Sequence, residues 1–477
     1  PDPVSGYATG NFANSPLPVS VVIQGDGSGA FFTAEYNGAG QITKFNPVNG
    51  GTGYNSSTTK VSVIGGGGYG ATGTAIVNSA DGSITAITPV NHGSGYGSTP
   101  GIRKFVQDLP DSIPTADRTQ IPAQGVAGTP SYVPASDYYE IAMIRAQWQF
   151  SPDLPLTTVN LYVQVDPDHF GPACGTNTAG HKSIPLYYPS TRGSGAPSTT
   201  PILNLAGKQV CGVQTNSNPA TPFNYLGTTI NADKGRPVRV TYDNYLPTGS
   251  GTCTTNTGVN TNPTVNKCGG DLFLPVDPTI MGAGSGPVNG FYSTNRSTIH
   301  LHGGVTPWIS DGTMDQWITP VKSVEQYPKG VSVRYVPDMW YASDGTLQVS
   351  CIGKATCTGA TASPGQGRMN FYYTNQQSAR MMFYHDHSDG ITRLNVYSGE
   401  IAGYLLHDQY EAQLMVAAGI RSAGAATTIN TAQEKVLVLQ DKTFVPKDIQ
   451  RQDARWDGAP NAWGLAPWAG CSGGCAL

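Results

Sequence analysis

Two short motifs combine residue types and spacing that could hold a metal ion. Residues 297–312 read S-T-I-H-L-H-G-G-V-T-P-W-I-S-D-G, and residues 381–397 read M-M-F-Y-H-D-H-S-D-G-I-T-R-L-N-V-Y. Four of the eight histidines, His300, His302, His385 and His387, thus form two H-x-H pairs. Random placement of so few histidines would give roughly 0.1 such pairs. Both pairs lie in apolar, strand-like surroundings, where residues at i and i+2 project from one face. Four imidazoles on two strands could therefore converge on one site, and neutral imidazole suits copper, zinc, iron and nickel alike. The bland alternative is two pairs of satisfied core histidines, with Asp311 of S-D-G a simple turn residue.

The elements that position these motifs read as all-β. Short apolar runs, rich in β-branched and aromatic residues, are broken repeatedly by the 60 Gly and 36 Pro of the 477 residues. A charged fraction of 12% beside 38% hydrophobic residues argues against a disordered chain. The net charge of −4 with scattered Lys and Arg gives no nucleic-acid footprint. No apolar run approaches the roughly 18 residues of a transmembrane helix. The sequence starts at Pro1, without Met or a signal peptide, so an upstream segment is expected to have been removed or left out. The eight cysteines fall into near neighbours: Cys174 with Cys211, Cys253 with Cys268, Cys351 with Cys357, and Cys471 with Cys475. In a turn-rich β protein these read as disulfides made outside the cytoplasm. The rival, a thiolate metal site, lacks C-x-x-C spacing and neighbouring histidines.

Residues 1–103 carry a Gly- and Tyr-marked β repeat. Q-I-T-K-F-N-P-V-N-G-G-T-G-Y at 41–54 returns as S-I-T-A-I-T-P-V-N-H-G-S-G-Y at 83–96, and G-S-G-A at 27–30 returns as G-Y-G-A at 68–71. A further S-G-Y at 5–7 marks the tail of another copy. Such units seldom bury an apolar face alone, so they are expected to pack on the rest of the chain or on repeats of another molecule, by strand addition. His92, in the slot of Gly50, reads as a turn residue. Residues 104–136 read as a linker. Strand signals follow from Tyr138, interrupted near 167–222 by a Gly-, Pro- and Ser-rich insertion with Cys174 and Cys211. His169 and His181 read there as solvated loop residues.

The order Y-Y-E-I at 138–141, D-N-Y-L-P at 243–247, T-I-H-L-H-G-G-V-T-P at 298–307, S-D-G at 310–312, F-Y-H-D-H at 383–387 and G-Y-L-L-H-D at 403–408 resembles the first cupredoxin domain of multicopper oxidases. Within that family it looks most like bacterial spore-coat laccases and bilirubin-oxidase-like enzymes. The resemblance implies a cupredoxin-like Greek-key β-sandwich over 137–410, a linker at 411–433, and the opening strand of a second cupredoxin domain from 434, continuing to 477. It implies copper, with His300 a type 2 ligand and His302, His385 and His387 ligands of the type 3 pair. Asp311 would help deliver protons during reduction of dioxygen, Gly303 and Gly304 would allow close backbone approach, and Arg393 and Asn395 would brace the second histidine strand. His407 reads as a strand-end residue.

The sequence departs from that family beyond His407, where no histidine follows, and Cys471 and Cys475 sit in a Gly-rich C-S-G-G-C tail. Ligands for a type 1 copper and half of the cluster's imidazoles are therefore missing from this chain. The expectation is the amino-terminal part of a secreted, laccase-like enzyme that oxidises a phenolic or metal-ion substrate with dioxygen. A carboxy-terminal fragment or partner chain would complete it. The alternative is a surface or filament-forming structural protein, self-assembling through the repeats.

Overall fold

The computed structural model describes residues 19–65, 68–96, 119–121, 134–151, 154, 156–170, 174–175, 182–189, 200–214, 224–248, 272–274, 276, 280–283, 292–323, 327–332, 335, 338–420 and 436–444. The S-G-Y at 5–7, His181, Cys253, Cys268, Cys471 and Cys475 lie outside the described residues.

The first six strands are β1 (Val19–Gln24), β2 (Ser28–Tyr36), β3 (Ile42–Thr52), β4 (Lys60–Gly65), β5 (Tyr69–Val77) and β6 (Ile84–Ser94). β2 and β3 form one antiparallel hairpin, β5 and β6 another, and β1 pairs antiparallel with β4. The Tyr54 hydroxyl accepts from the Ala30 amide at 3.3 Å, and the Tyr96 hydroxyl accepts from the Ala71 amide at 3.2 Å. Each tail also reaches the other hairpin: Tyr54 N–H donates to Gly82 O at 2.9 Å, and Tyr96 N–H donates to Gly40 O at 3.0 Å. One apolar core spans both halves, with Phe32, Ile42 and Phe45 against Ala75, Ile84 and Ile87. The two halves thus cover each other within one chain. His92 lies on β6, not in a turn, and its Nδ1 is 2.6 Å from Ile42 O.

The next strands are β7 (Thr119–Ile121), β8 (Ser136–Trp148), β9 (Thr157–Phe170), β10 (Ser183–Pro185), β11 (Val210–Val213), β12 (Ile230–Asp233), β13 (Val238–Asn244), β14 (His300–His302), β15 (Arg368–Tyr373), β16 (Arg380–His385) and β17 (Ile401–His407). Two short helices follow the second histidine motif and the last strand, α1 (Thr392–Ser398) and α2 (Gln409–Ala417). A seven-stranded sheet runs β10-β11-β9-β8-β13-β15, with β7 on the start of β8; a four-stranded sheet runs β12-β17-β16-β14. The fold is all-β, with these two sheets packed face to face. Alternation explains the two-layer packing: Tyr139, Ile141 and Met143 of β8 face Met382, Tyr384 and Tyr404 of the other sheet. Tyr138 on the opposite face packs with Met339, Tyr341 and Ile352, which lie in the segment carrying the Cys351–Cys357 disulfide.

Several segments differ from the sequence expectations. The linker at 104–136 contributes β7, because its backbone finds a ladder partner in β8. The insertion near 167–222 is stapled by Cys174–Cys211, yet it also extends the sheet, since Val210 and Ile202 bury apolar side chains in the core behind β9. His169 lies on β9. α2 occupies the start of the 411–433 linker. Residues 436–444 form no strand: Leu439 is 99% exposed, and the segment is held instead by Lys442 over the Tyr397 ring at 4.4 Å and by Phe444 against Phe150. A strand needs a ladder of backbone partners; here the Thr443 amide donates instead to the Tyr397 hydroxyl at 2.8 Å.

Candidate metal centre

The two histidine motifs meet edge to edge. β14 pairs antiparallel with β16 in the register His300↔His385, Leu301↔Tyr384, His302↔Phe383. Leu301 and Tyr384 point into the sandwich core, so the period of two sends His300, His302 and His385 to the other face. β16 ends at His385, and His387 lies just beyond it rather than on the strand. The chain turns there, which brings the His387 ring to 4.9 Å from that of His300 and 5.8 Å from that of His385.

One nitrogen of each ring is accounted for at two positions. His300 Nδ1–H donates to the Asp311 carbonyl at 2.6 Å, and His385 Nδ1–H donates to the Asp386 carbonyl at 2.5 Å. A carbonyl only accepts, so both rings carry the proton on Nδ1 and keep the Nε2 lone pair for a ligand. His302 Nδ1 is 3.2 Å from His385 Nε2. The His387 Nδ1 is buried without a hydrogen-bond partner among the described residues. Ligand nitrogens of His300, His302 and His385 lie within 4.8 Å of one another. Burial pushes the His300 imidazole below its usual pKa, and pushes that of His385 down to about 4. Both rings are therefore neutral, the form that ligates metal, at ordinary pH.

The support around the rings explains the flanking sequence. Phe383 stacks on His302 at 4.7 Å. Gly303 turns the chain out of β14 at φ +83. S-D-G folds back onto the histidine strand: Gly312 has φ +66, and a Cβ there would sit 1.8 Å from the Ile299 carbonyl. Only glycine satisfies both demands. Asp311 thereby reaches His300 through its carbonyl, a role its residue type does not advertise. Its carboxylate accepts from Thr306 Oγ1 at 3.0 Å and lies 3.7 Å from His300 Nδ1. Asn395 does brace the second motif, donating to the Asp386 carboxylate at 2.9 Å. Arg393 does not; it is exposed on the outer side of α1, whose inward face is taken by Asn395. His407 ends β17 and pairs with Glu411 at 2.8 Å, apart from the other four.

No family model matches the chain. It is 33% identical over 142 residues to the laccase of Bacillus subtilis (strain 168), covering 30% of this chain and 20% of that protein. It is 27% identical over 226 residues to multicopper oxidase LPR1 homolog 1 of Oryza sativa subsp. japonica, covering 47% and 26%. Over the matched segments the chain is similar to multicopper oxidases. It spans about a fifth to a quarter of the length of these curated relatives. A solved laccase from Pediococcus acidilactici Pa5930 aligns over 66% of this chain and 32% of its own, at 12% identity and a TM-score of 0.27. Multicopper oxidase homology implies copper. The residues present fit that metal: the donor set is all imidazole, two rings are locked with Nε2 free, and the buried Nδ1 of His387 has no bonding partner among the described residues.

Proposed function

We propose that this chain supplies half of the imidazoles of a trinuclear copper cluster in a laccase-like multicopper oxidase. The observation that carries this reading is the convergence of the rings of His300, His302, His385 and His387 at the β14–β16 edge, with the Nε2 lone pairs of His300 and His385 available. In this reading His300 is the type 2 ligand, and His302, His385 and His387 serve the type 3 pair. Copper bound there supplies the one-electron steps that couple oxidation of a phenolic or metal-ion substrate to four-electron reduction of dioxygen to water. The Asp311 carboxylate, 38% exposed and hydrogen-bonded to Thr306, holds and passes protons beside His300.

No histidine follows His407, so the type 1 ligands and the remaining imidazoles come from outside this chain, either from further polypeptide or from a partner. The exposed His302 and the nearby exposed Val305, Trp308 and Met314 support that placement. The Cys174–Cys211 and Cys351–Cys357 disulfides support an extracellular setting. Among the described residues, no helix is long and apolar enough to cross a membrane.

Intact mass and copper content of the native assembly test the reading. Several coppers per assembly, a blue absorption and a co-purifying polypeptide with the missing ligands are expected. Copper-free material of this mass alone, inert toward phenols in air, would refute it.

A further inference from the structure

Asp386, the residue between the two histidines of H-D-H, is fully buried, and its carboxylate accepts four hydrogen bonds. Oδ1 takes the Thr298 amide at 2.9 Å and Ser388 Oγ at 2.7 Å; Oδ2 takes the Ser388 amide at 3.0 Å and Asn395 Nδ2 at 2.9 Å. Its backbone is engaged as well: Asp386 N–H donates to Glu400 O at 3.1 Å, and its carbonyl accepts the His385 ring proton. Thr298 stands two residues before His300. Continued, the β14–β16 register would pair Ile299 with Asp386 and then Thr298 with His387, but the ladder stops at His300↔His385. The Asp386 carboxylate takes the Thr298 amide in place of that rung. His387 is released from the strand and turns toward His300, while the two motifs stay joined.

We propose that Asp386 is a positioning residue for the copper ligands: its carboxylate ties the first histidine strand to the second histidine turn, and its carbonyl fixes the His385 tautomer. The proposal rests on the metal reading given above. The physical reason is geometric. Four imidazoles from two strands present one donor set only if their strands share a fixed register beyond the last rung. Four donors aimed at one buried carboxylate fix that register better than the short β14 ladder alone. Asparagine at this position keeps the shape but puts an NH2 where two donors already point, leaving buried donors facing each other.

The test uses the purified 477-residue chain, titrated with cupric ion against a competing chelator, with electron paramagnetic resonance at substoichiometric copper. Asp386→Asn is expected to weaken cupric affinity about 10–100-fold and to change the copper hyperfine pattern, in protein that still unfolds cooperatively. Should that variant not fold, Ser388→Ala decides: it removes one donor and keeps the carboxylate, and a several-fold weaker affinity with an altered spectrum is expected. Lower thermal stability with unchanged affinity and spectrum, in either folded variant, overturns the proposal and leaves Asp386 a structural residue. Wild-type chain that takes up no copper overturns the metal reading itself, and this proposal with it.

Discussion

His302 Nδ1 and His385 Nε2 face each other at 3.2 Å across the β14–β16 ladder. His385 has its proton on Nδ1, so this contact is either one hydrogen bond or two lone pairs awaiting a cation. His385→Ala removes the more buried partner. In the complete assembly it is expected to abolish oxygen uptake and lower the copper content, both measurable on one preparation. Unchanged uptake in that variant would remove His385 from the ligand set.

Asp311 contributes a carbonyl and a carboxylate to different tasks. Asp311→Asn leaves the carbonyl on His300 Nδ1 and removes only the proton-carrying group. The complete assembly should then keep its copper and lose roughly 10²–10⁴-fold in oxygen reduction. Loss of copper in step with activity would instead mark the carboxylate as structural.

Gly312 is pressed against the histidine strand. Alanine there meets the Ile299 carbonyl and an unfavourable positive φ together. Gly312→Ala should destabilise the chain by at least about 1–3 kcal/mol, read from urea midpoints, and should weaken copper binding because Asp311 can no longer reach His300. A variant as stable as wild type would contradict the packing described for this turn.

Glu400 gives the fold a pH dependence. It is fully buried, accepts from Ser297 Oγ at 2.7 Å and Asn160 Nδ2 at 2.9 Å, and is pushed by burial up to about 8. Its pKa is raised on folding, so the native state binds more protons than the unfolded one between about 4.5 and 8. Its contribution is therefore fully present below the unfolded value and lost as pH rises through the folded one. Thermal midpoints of Glu400→Gln and wild type should differ more favourably for the variant at pH 8 than at pH 5. A difference independent of pH would show that Glu400 does not titrate in this window.

The H-x-H pairs and the strings around them were legible because ligand chemistry uses few residue types, and strand periodicity places i and i+2 together. The all-β class was legible from the same periodicity. Less visible was the Asp311 carbonyl, since every residue has one and only the Gly312 turn aims it. Arg393 and Asn395 looked equivalent in the string. Two residues along α1, about 200° around the helix, separate an exposed side chain from a buried one.

By itself the sequence determined which side chains could ligate and that three of them, His300, His302 and His385, lie on strands. It also determined that no histidine follows His407. Tertiary structure decided the rest. It set the register that puts His300 beside His385, the strand end that frees His387, and the mutual closure of the amino-terminal hairpins. It also left 436–444 without a ladder, latched through Lys442. These are pairings between residues far apart in the chain, fixed by which amides and apolar faces find partners. Local residue type constrains such choices without making them.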